Sequence, residues 1–253
     1  GGADINVLSR HVGARVVVVD MGVASPLEAD PRLVSRKVAR GTRNMAVGPA
    51  MTRAQALEAV EAGIEVVSGE IDRGLDLVAT GDMGIGNTSP SAAICSVITG
   101  RTVPEVTGRG TGLDDEQLNR KIRAIQRAIA VNRPDPHDPL DTLSKVGGFE
   151  IAGLVGVMLG AAARRVAVVI DGFISGAAAL IAAEMCPQVK GYLFPGHLSA
   201  EPGHRIMLDH MGLVPLLCLD MRLGEGTGAA LAMVLIEASA RILAEMATFG
   251  EAS

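Results

Sequence analysis

The chain has 253 residues, 48% of them apolar and 20% charged, and carries a formal net charge of −5. That is enough chain to bury one large core, or one core with a small appendage. Its acidic balance, with no Lys/Arg run and no aromatic stacking platform, argues against polymeric nucleic acid and anionic membrane as partners.

In chain order, Gly1-Gly2 open the sequence without a Met, which points to residues upstream, and no basic-plus-apolar leader pattern follows. The Val-rich run 16–20 reads as a buried strand, and 19–31 around Met21-Gly22-Val23 as a loop. Residues 52–71 read as a helix with Thr52 as its N-cap. A second apolar run, 75–80, leads into the glycine-rich stretch 81–91 and then a small-residue helix over 92–98. The helix over 114–131 has Asp114 as a cap, Asp115 and Glu116 in its first turn and Lys/Arg later, as the helix dipole favours. Pro134, Pro136 and Pro139 make 133–141 a loop. The helix over 149–164 contains the longest uncharged apolar stretch, 151–163, too short to span a membrane. Strands are expected at 165–171, 191–194 and 213–220. A long apolar helix over 226–249 is expected to bury most of its surface against neighbouring helices or a partner subunit.

Only 2% of residues are aromatic and none is Trp, while 31 are Gly, so the interior must be packed from small and branched aliphatic side chains. This favours helices lying close on a parallel sheet, and the alternating elements read as βαβ units with right-handed crossovers. Cys95, Cys186 and Cys218 are far apart in apolar segments, so buried free thiols in a reducing compartment are expected.

Several strands end in a polar residue followed by glycine: Thr80-Gly81, Asp171-Gly172, and Asp220 shortly before Gly224-Glu225-Gly226. In open α/β sheets the carboxyl ends of strands form the ligand crevice, so these loops should converge. The segment Gly81-Asp82-Met83-Gly84-Ile85-Gly86-Asn87-Thr88-Ser89-Pro90-Ser91 combines glycines that let a ligand approach the backbone, amide and hydroxyl donors, and a following helix N-terminus. A phosphate is its natural occupant, although a loop rich in glycine for turn geometry alone is the plainer reading. No Lys-Ser/Thr follows the glycines, and their spacing is not that of a dinucleotide fingerprint.

A second glycine segment, 107–112, precedes the helix carrying Lys121, whose side chain reaches a phosphate only if the fold joins the two loops. His197, His204 and His210 are seven and six residues apart, which fits neither a helical pair nor a zinc finger, so surface or satisfied histidines are expected. Glu225, flanked by glycines between a strand and an apolar helix, is placed to project into a pocket. Enclosure by Leu and Met would raise its pKa and make it a usable base, the bland alternative being a charge that answers the helix dipole.

Together and in this order, Gly-Asp-Met-Gly-Ile-Gly-Asn-Thr at 81–88, Gly-Arg-Gly-Thr-Gly-Leu-Asp-Asp at 108–115, Asp-Gly-Phe-Ile at 171–174, Gly-His-Leu-Ser-Ala-Glu at 196–201 and Arg-Leu-Gly-Glu-Gly-Thr-Gly-Ala at 222–229 resemble the nicotinate-nucleotide:dimethylbenzimidazole phosphoribosyltransferases. The resemblance covers essentially the whole chain. It implies transfer of phosphoribose from nicotinate mononucleotide to 5,6-dimethylbenzimidazole in cobalamin assembly, with inversion at the anomeric carbon, and it matches Glu225 to the general base. It places Gly84, Asn87, Thr88, Lys121 and Ser199 at the phosphate, Gly110 and Asp171 near ribose or nicotinate, and Asp82, Met83, Gly86 and Ala200 among the substrate contacts. Family members usually carry Glu where this chain has Asp82, and they begin about one helical subdomain earlier, with polar contacts to the benzimidazole supplied from there. Nothing matches the acidic pair and Thr-Gly-rich loop of Mg²⁺-dependent, pyrophosphate-using transferases, so no metal and no cofactor are expected.

The expectation is therefore an α/β protein: a Rossmann-like three-layer domain over 1–224 with a mostly parallel sheet, and a small helical part from the chain ends that includes 225–253. A cytoplasmic homodimer acting on small molecules is implied. The alternatives are a catalytically silent nucleotide-binding or assembly module and, more weakly, a nicotinamide-dependent dehydrogenase, which the first strand disfavours because no dinucleotide loop follows it.

Overall fold

Short parallel strands with helices between them account for the alternating apolar runs. The computed structural model describes residues 2–110, 112–248 and 250. In chain order the elements are α1 (Asp4–His11), β1 (Val18–Asp20), β2 (Leu33–Ser35), α2 (Arg53–Ile71), β3 (Leu77–Ala79), α3 (Thr88–Thr99), α4 (Val103–Val106), α5 (Asp115–Asn132), α6 (Pro139–Val146), α7 (Phe149–Ala163), β4 (Ala167–Ile170), α8 (Phe173–Met185), a 3-10 turn (Pro187–Tyr192), β5 (Leu193–Pro195), α9 (Pro202–Met211) and α10 (Thr227–Glu245).

β4 lies between β3 and β5 in one parallel sheet, with Val78 opposite Val168 and Val168 opposite Leu193. β1 and β2 form a separate parallel pair. Because side chains alternate along a strand, Val168 and Ile170 enter the main core with the helices of one face. Val169 points the other way and packs with Ala229 and Ala232 of α10. The sheet is thus the middle of three layers, with α2, α3, α7 and α8 on one side and α10 on the other, where α1 packs against it. The α/β class with parallel sheets expected from the sequence is the one found.

The scarcity of aromatics is answered at the α2–α7 contact. A Cβ on Gly156 would run into the carbonyl of Val60, one on Gly63 into that of Gly153, and one on Gly160 would lie 2.7 Å from Val67 Cγ1. Backbone packs directly on backbone, a substitute for large interlocking side chains. α2 starts where the sequence indicates, with Thr52 and Gln55 forming a reciprocal capping box, and Asp114 and Gln117 do the same for α5.

The segment 213–220 is not a strand. Only Leu217 bridges to His197, with Leu216 N–H donating to the Pro195 carbonyl at 2.9 Å, because Pro215 has no N–H to continue the ladder. The loop expected over 133–141 gives way to α6 at Pro139, a residue suited to the first helical position, with Asp138 capping the turn through Asp141 N–H. The small-residue helix begins at Thr88 rather than 92. Cys95 is buried, but Cys186 is half-buried and Cys218, where the chain leaves the sheet, is exposed.

α10 buries only its first turns. Val234, Leu235, Ile242 and Leu243 are exposed, the last at 88%, so burial of most of the helix is not achieved within the chain, and Phe249 lies outside the described residues. Among the described residues it is the one helix long and apolar enough to cross a membrane, but its first third closes the second core.

Replacing Gly156 with Ala should force α2 and α7 apart and cost about 1–3 kcal/mol. Chemical denaturation will check this, and an unchanged midpoint would contradict the packing described.

Candidate active site

The glycine loop after β3 and the turn before α10 meet backbone to backbone. Glu225 N–H donates to the Asp82 carbonyl at 2.9 Å, and a Cβ on Gly81 would lie 2.6 Å from the Glu225 carbonyl carbon and the Gly226 nitrogen. Only glycine fits there. Within the loop Gly84 and Gly86 take left-handed φ values of 71° and 80°, and Met83, 70% exposed, turns outward with Ile85. α3 follows at once, so Thr88 and Ser89 sit in its first turn, and Asn87 precedes them without using its side chain as a cap.

Gly224, Glu225 and Gly226 all lie at positive φ, 83°, 62° and 87°. For glycine this is free, but for Glu225 it costs of the order of 1–2 kcal/mol, a strain the surrounding contacts must hold. Asp171, at 0% exposure, supplies much of that hold. Its Oδ2 accepts from Gly226 N–H at 3.1 Å and its Oδ1 from Ala229 N–H at 3.0 Å. It caps α10 from 58 positions away, a task usually given to a neighbouring side chain. Burial pushes the Asp171 carboxyl upward, against the pull of His197, whose Nε2 lies 3.6 Å from Oδ1. The Glu225 side chain is half-buried, and its Oε2 makes no hydrogen bond among the described residues.

Lys121 joins the second glycine segment to the first. Its Nζ donates to Thr88 Oγ1 at 2.9 Å and to the Gly108 carbonyl at 3.1 Å. Gly110, at φ 55°, stands close enough that a Cβ would lie 3.5 Å from Thr88 Oγ1. Burial lowers the Lys121 pKa, opposed by the nearby Glu201 charge. Ser199 closes another side. Its N–H donates to His204 Nδ1 at 2.9 Å, its hydroxyl oxygen faces Glu201 N–H at 3.4 Å, and Ala200 beside it is exposed. His204 is held neutral by burial, its pKa brought down to about 3.

The structure therefore brings together Asp82, Gly84, Asn87, Thr88, Gly110, Lys121 and Glu225, leaves Met83 and Ala200 on the outer surface of their loops, and turns both Asp171 oxygens towards backbone N–H groups. Of the three histidines, His197 and His204 are interior rather than surface residues, whereas His210 is paired with Glu184. A separate cavity of 490 Å³ lies between 39–43, the start of α2 and Phe149. Sequence reasoning missed Glu150 and Glu201. Glu150 folds its carboxylate back over Gly148, whose Cβ would lie 2.5 Å from Oε1. The glycine pair just before it, Gly147-Gly148, was the available signal.

The Asp82 carboxyl is raised from 3.8 to about 7 by burial and by the charges of Asp171 and Glu150, against the Asn87 amide, which donates to Oδ1 at 3.2 Å. A protonated Asp82 can donate a hydrogen bond, and an ionised one can face a developing cation. Near neutrality both forms are accessible.

Such a fold and site define an α/β protein whose loops gather N–H, hydroxyl and ammonium groups on one side and hold, on the other, a glutamate whose Oε2 has no hydrogen-bond partner among the described residues. A family model described as Phosphoribosyltransferase matches residues 1–253. The nicotinate-nucleotide–dimethylbenzimidazole phosphoribosyltransferase of Dehalococcoides mccartyi (strain BAV1) is 67% identical over 252 residues, covering 100% of this chain and 72% of that protein. The enzyme of the same name from Desulforudis audaxviator is 66% identical, with 71% of its length covered. The crystal structure of CobT from Thermus thermophilus superposes with a TM-score of 0.95 at 47% identity, covering 100% of this chain and 75% of that one. The chain belongs to this phosphoribosyltransferase family.

The raised pKa fixes a sign for stability. Between about pH 4 and 7 folded Asp82 keeps a proton that the unfolded chain has released, so stability falls as pH rises through that range and levels off above it. Asp82→Asn should therefore melt at a higher temperature than the parent at pH 8, with the gap closing towards pH 4. A difference that does not grow with pH would contradict the assignment.

Proposed function

We propose that this chain transfers phosphoribose from nicotinate mononucleotide to 5,6-dimethylbenzimidazole, releasing nicotinate and giving α-ribazole 5′-phosphate for the nucleotide loop of cobalamin. The observation that carries the reading is Glu225: a carboxylate on a strained turn, bonded through its backbone to the glycine loop, with a buried oxygen that has no hydrogen-bond partner among the described residues. A base needs that free oxygen.

Lys121, Thr88 and the N-terminus of α3 bind the 5′-phosphate, Gly84, Gly86, Asn87 and Ser199 complete that side, and Gly110 lies near the ribose or nicotinate. Ionised Asp82 faces the ribose and stabilises positive charge as it develops on the sugar. Glu225 takes the N–H proton of the benzimidazole, whose nitrogen lone pair forms the new bond to C1′ from the face opposite the leaving group. The C1′–N bond to nicotinate breaks with its electron pair returning to the pyridine nitrogen. No proton need be given to the leaving group, so one base is sufficient.

A catalytically silent module is not favoured, since the relatives matched along the whole chain bear the enzyme's name. A homodimer in the cytoplasm, and a division at 224/225 with α1 and α10 as the helical part, belong to the same proposal. The exposed apolar side chains of α10 support the dimer.

Glu225→Gln should lower turnover at least ~100-fold, the low end of what a positioned base contributes, while calorimetric binding of nicotinate mononucleotide stays close to the parent's. Near-normal product formation by chromatography would refute the base assignment.

A further inference from the structure

Glu201 stands at the start of α9 and sends its carboxylate across the site to a segment 91 residues away, where Oε1 accepts from Gly110 N–H at 2.9 Å. Its Oε2 is buried without a hydrogen bond among the described residues and lies against Gly108, so closely that a Cβ there would collide with it. The Gly108 carbonyl in turn accepts from Lys121 Nζ, and Lys121 donates onward to Thr88 Oγ1. These contacts form one unbroken path from Glu201 through the glycine segment to the ammonium and hydroxyl assigned to the phosphate. The base of the path is firm, since Glu201 N–H faces Ser199 Oγ and Ser199 N–H is held by buried His204.

We propose that Glu201 is a positioning residue for the phosphoryl end of the site. It latches the strand of chain around Gly108 and Gly110 onto the first turn of α3 and so sets where Lys121 and Thr88 meet the substrate. Two features argue against a merely structural salt link. The carboxylate grips backbone N–H rather than the lysine, so the Lys121 donors stay directed at Thr88 and the Gly108 carbonyl. Glycine at 108 lets the carboxylate in, since a Cβ there would lie 2.0 Å from Glu201 Oε2, with Pro202 Cδ next at 2.9 Å. The nearby Glu201 charge also opposes the lowering of the Lys121 pKa by burial.

The inference rests on the reading that Lys121 and Thr88 bind the phosphate, and the experiment separates the two. In the full chain, Glu201→Ala should raise the KM for nicotinate mononucleotide roughly 10- to 100-fold, the scale of losing one charge-assisted hydrogen bond, with kcat changed less than about 3-fold. Glu201→Gln, which keeps an acceptor for Gly110 N–H, should recover most of that loss. Gly108→Ala, which leaves Glu201 in place but displaces its carboxylate, should reproduce the KM effect and guards against poor folding of the first variant. Hydrogen exchange at the amide of Gly110 should quicken in Glu201→Ala with no substrate present. Unchanged exchange would overturn the latch. Faster exchange with an unchanged KM would overturn the positioning role. Lys121→Ala that binds nicotinate mononucleotide as well as the parent would overturn the phosphate reading instead.

Discussion

Everything at the site depends on two backbones meeting with no side chain between them. Gly81 lies directly on the Glu225–Gly226 peptide, and the same contact lets Asp82 accept the Glu225 N–H. The end of β3 and the entrance to α10 are far apart in sequence, yet here they are fixed to within a hydrogen bond. The backbone of Glu225 and the glycine loop are therefore held as one body, by covalent geometry and one short contact. For the base proposed at Glu225, preorganisation of that kind removes the need to order its backbone at the moment of reaction.

The same device recurs away from the site. A chain with 2% aromatic residues cannot fill its interior with large rings, and it answers by bringing main chains close, as at Gly63 and Gly156 between α2 and α7. The consequence is a core with little slack: where a neighbour would be backbone rather than a mobile side chain, even one methyl group has no way to be accommodated.

What the sequence made legible was local or periodic. Thr52 and Asp114 announce α2 and α5 because a capping box is written within four residues, and convergence of the loops followed from polar-glycine pairs at strand ends. α8 escaped notice because a helix buried on every side has no polar face to mark its period, and its small residues resemble loop composition. The strand over 213–220 failed at Pro215. In the site, Glu225 and Lys121 stood out through their glycine surroundings, whereas Glu150 and Glu201 did not, because each acquires its role from chain that arrives from elsewhere. Asp171 was read as facing a ligand. Its position at a strand end gave that much, but only the fold reveals that both of its oxygens face the N-terminus of α10.

That cap has a consequence for how the base is placed. The turn bearing Glu225 has one local side-chain tie, from the Thr227 hydroxyl to the Gly224 carbonyl at 2.8 Å, but its N-cap is a glycine with no side chain to offer, and its glutamate sits in a conformation it would not choose alone. In the folded chain the turn is held by Asp171, presented from the end of β4. For the base proposed at Glu225, the glutamate alone is therefore not enough: its placement requires the Asp171 cap that only the folded sheet presents.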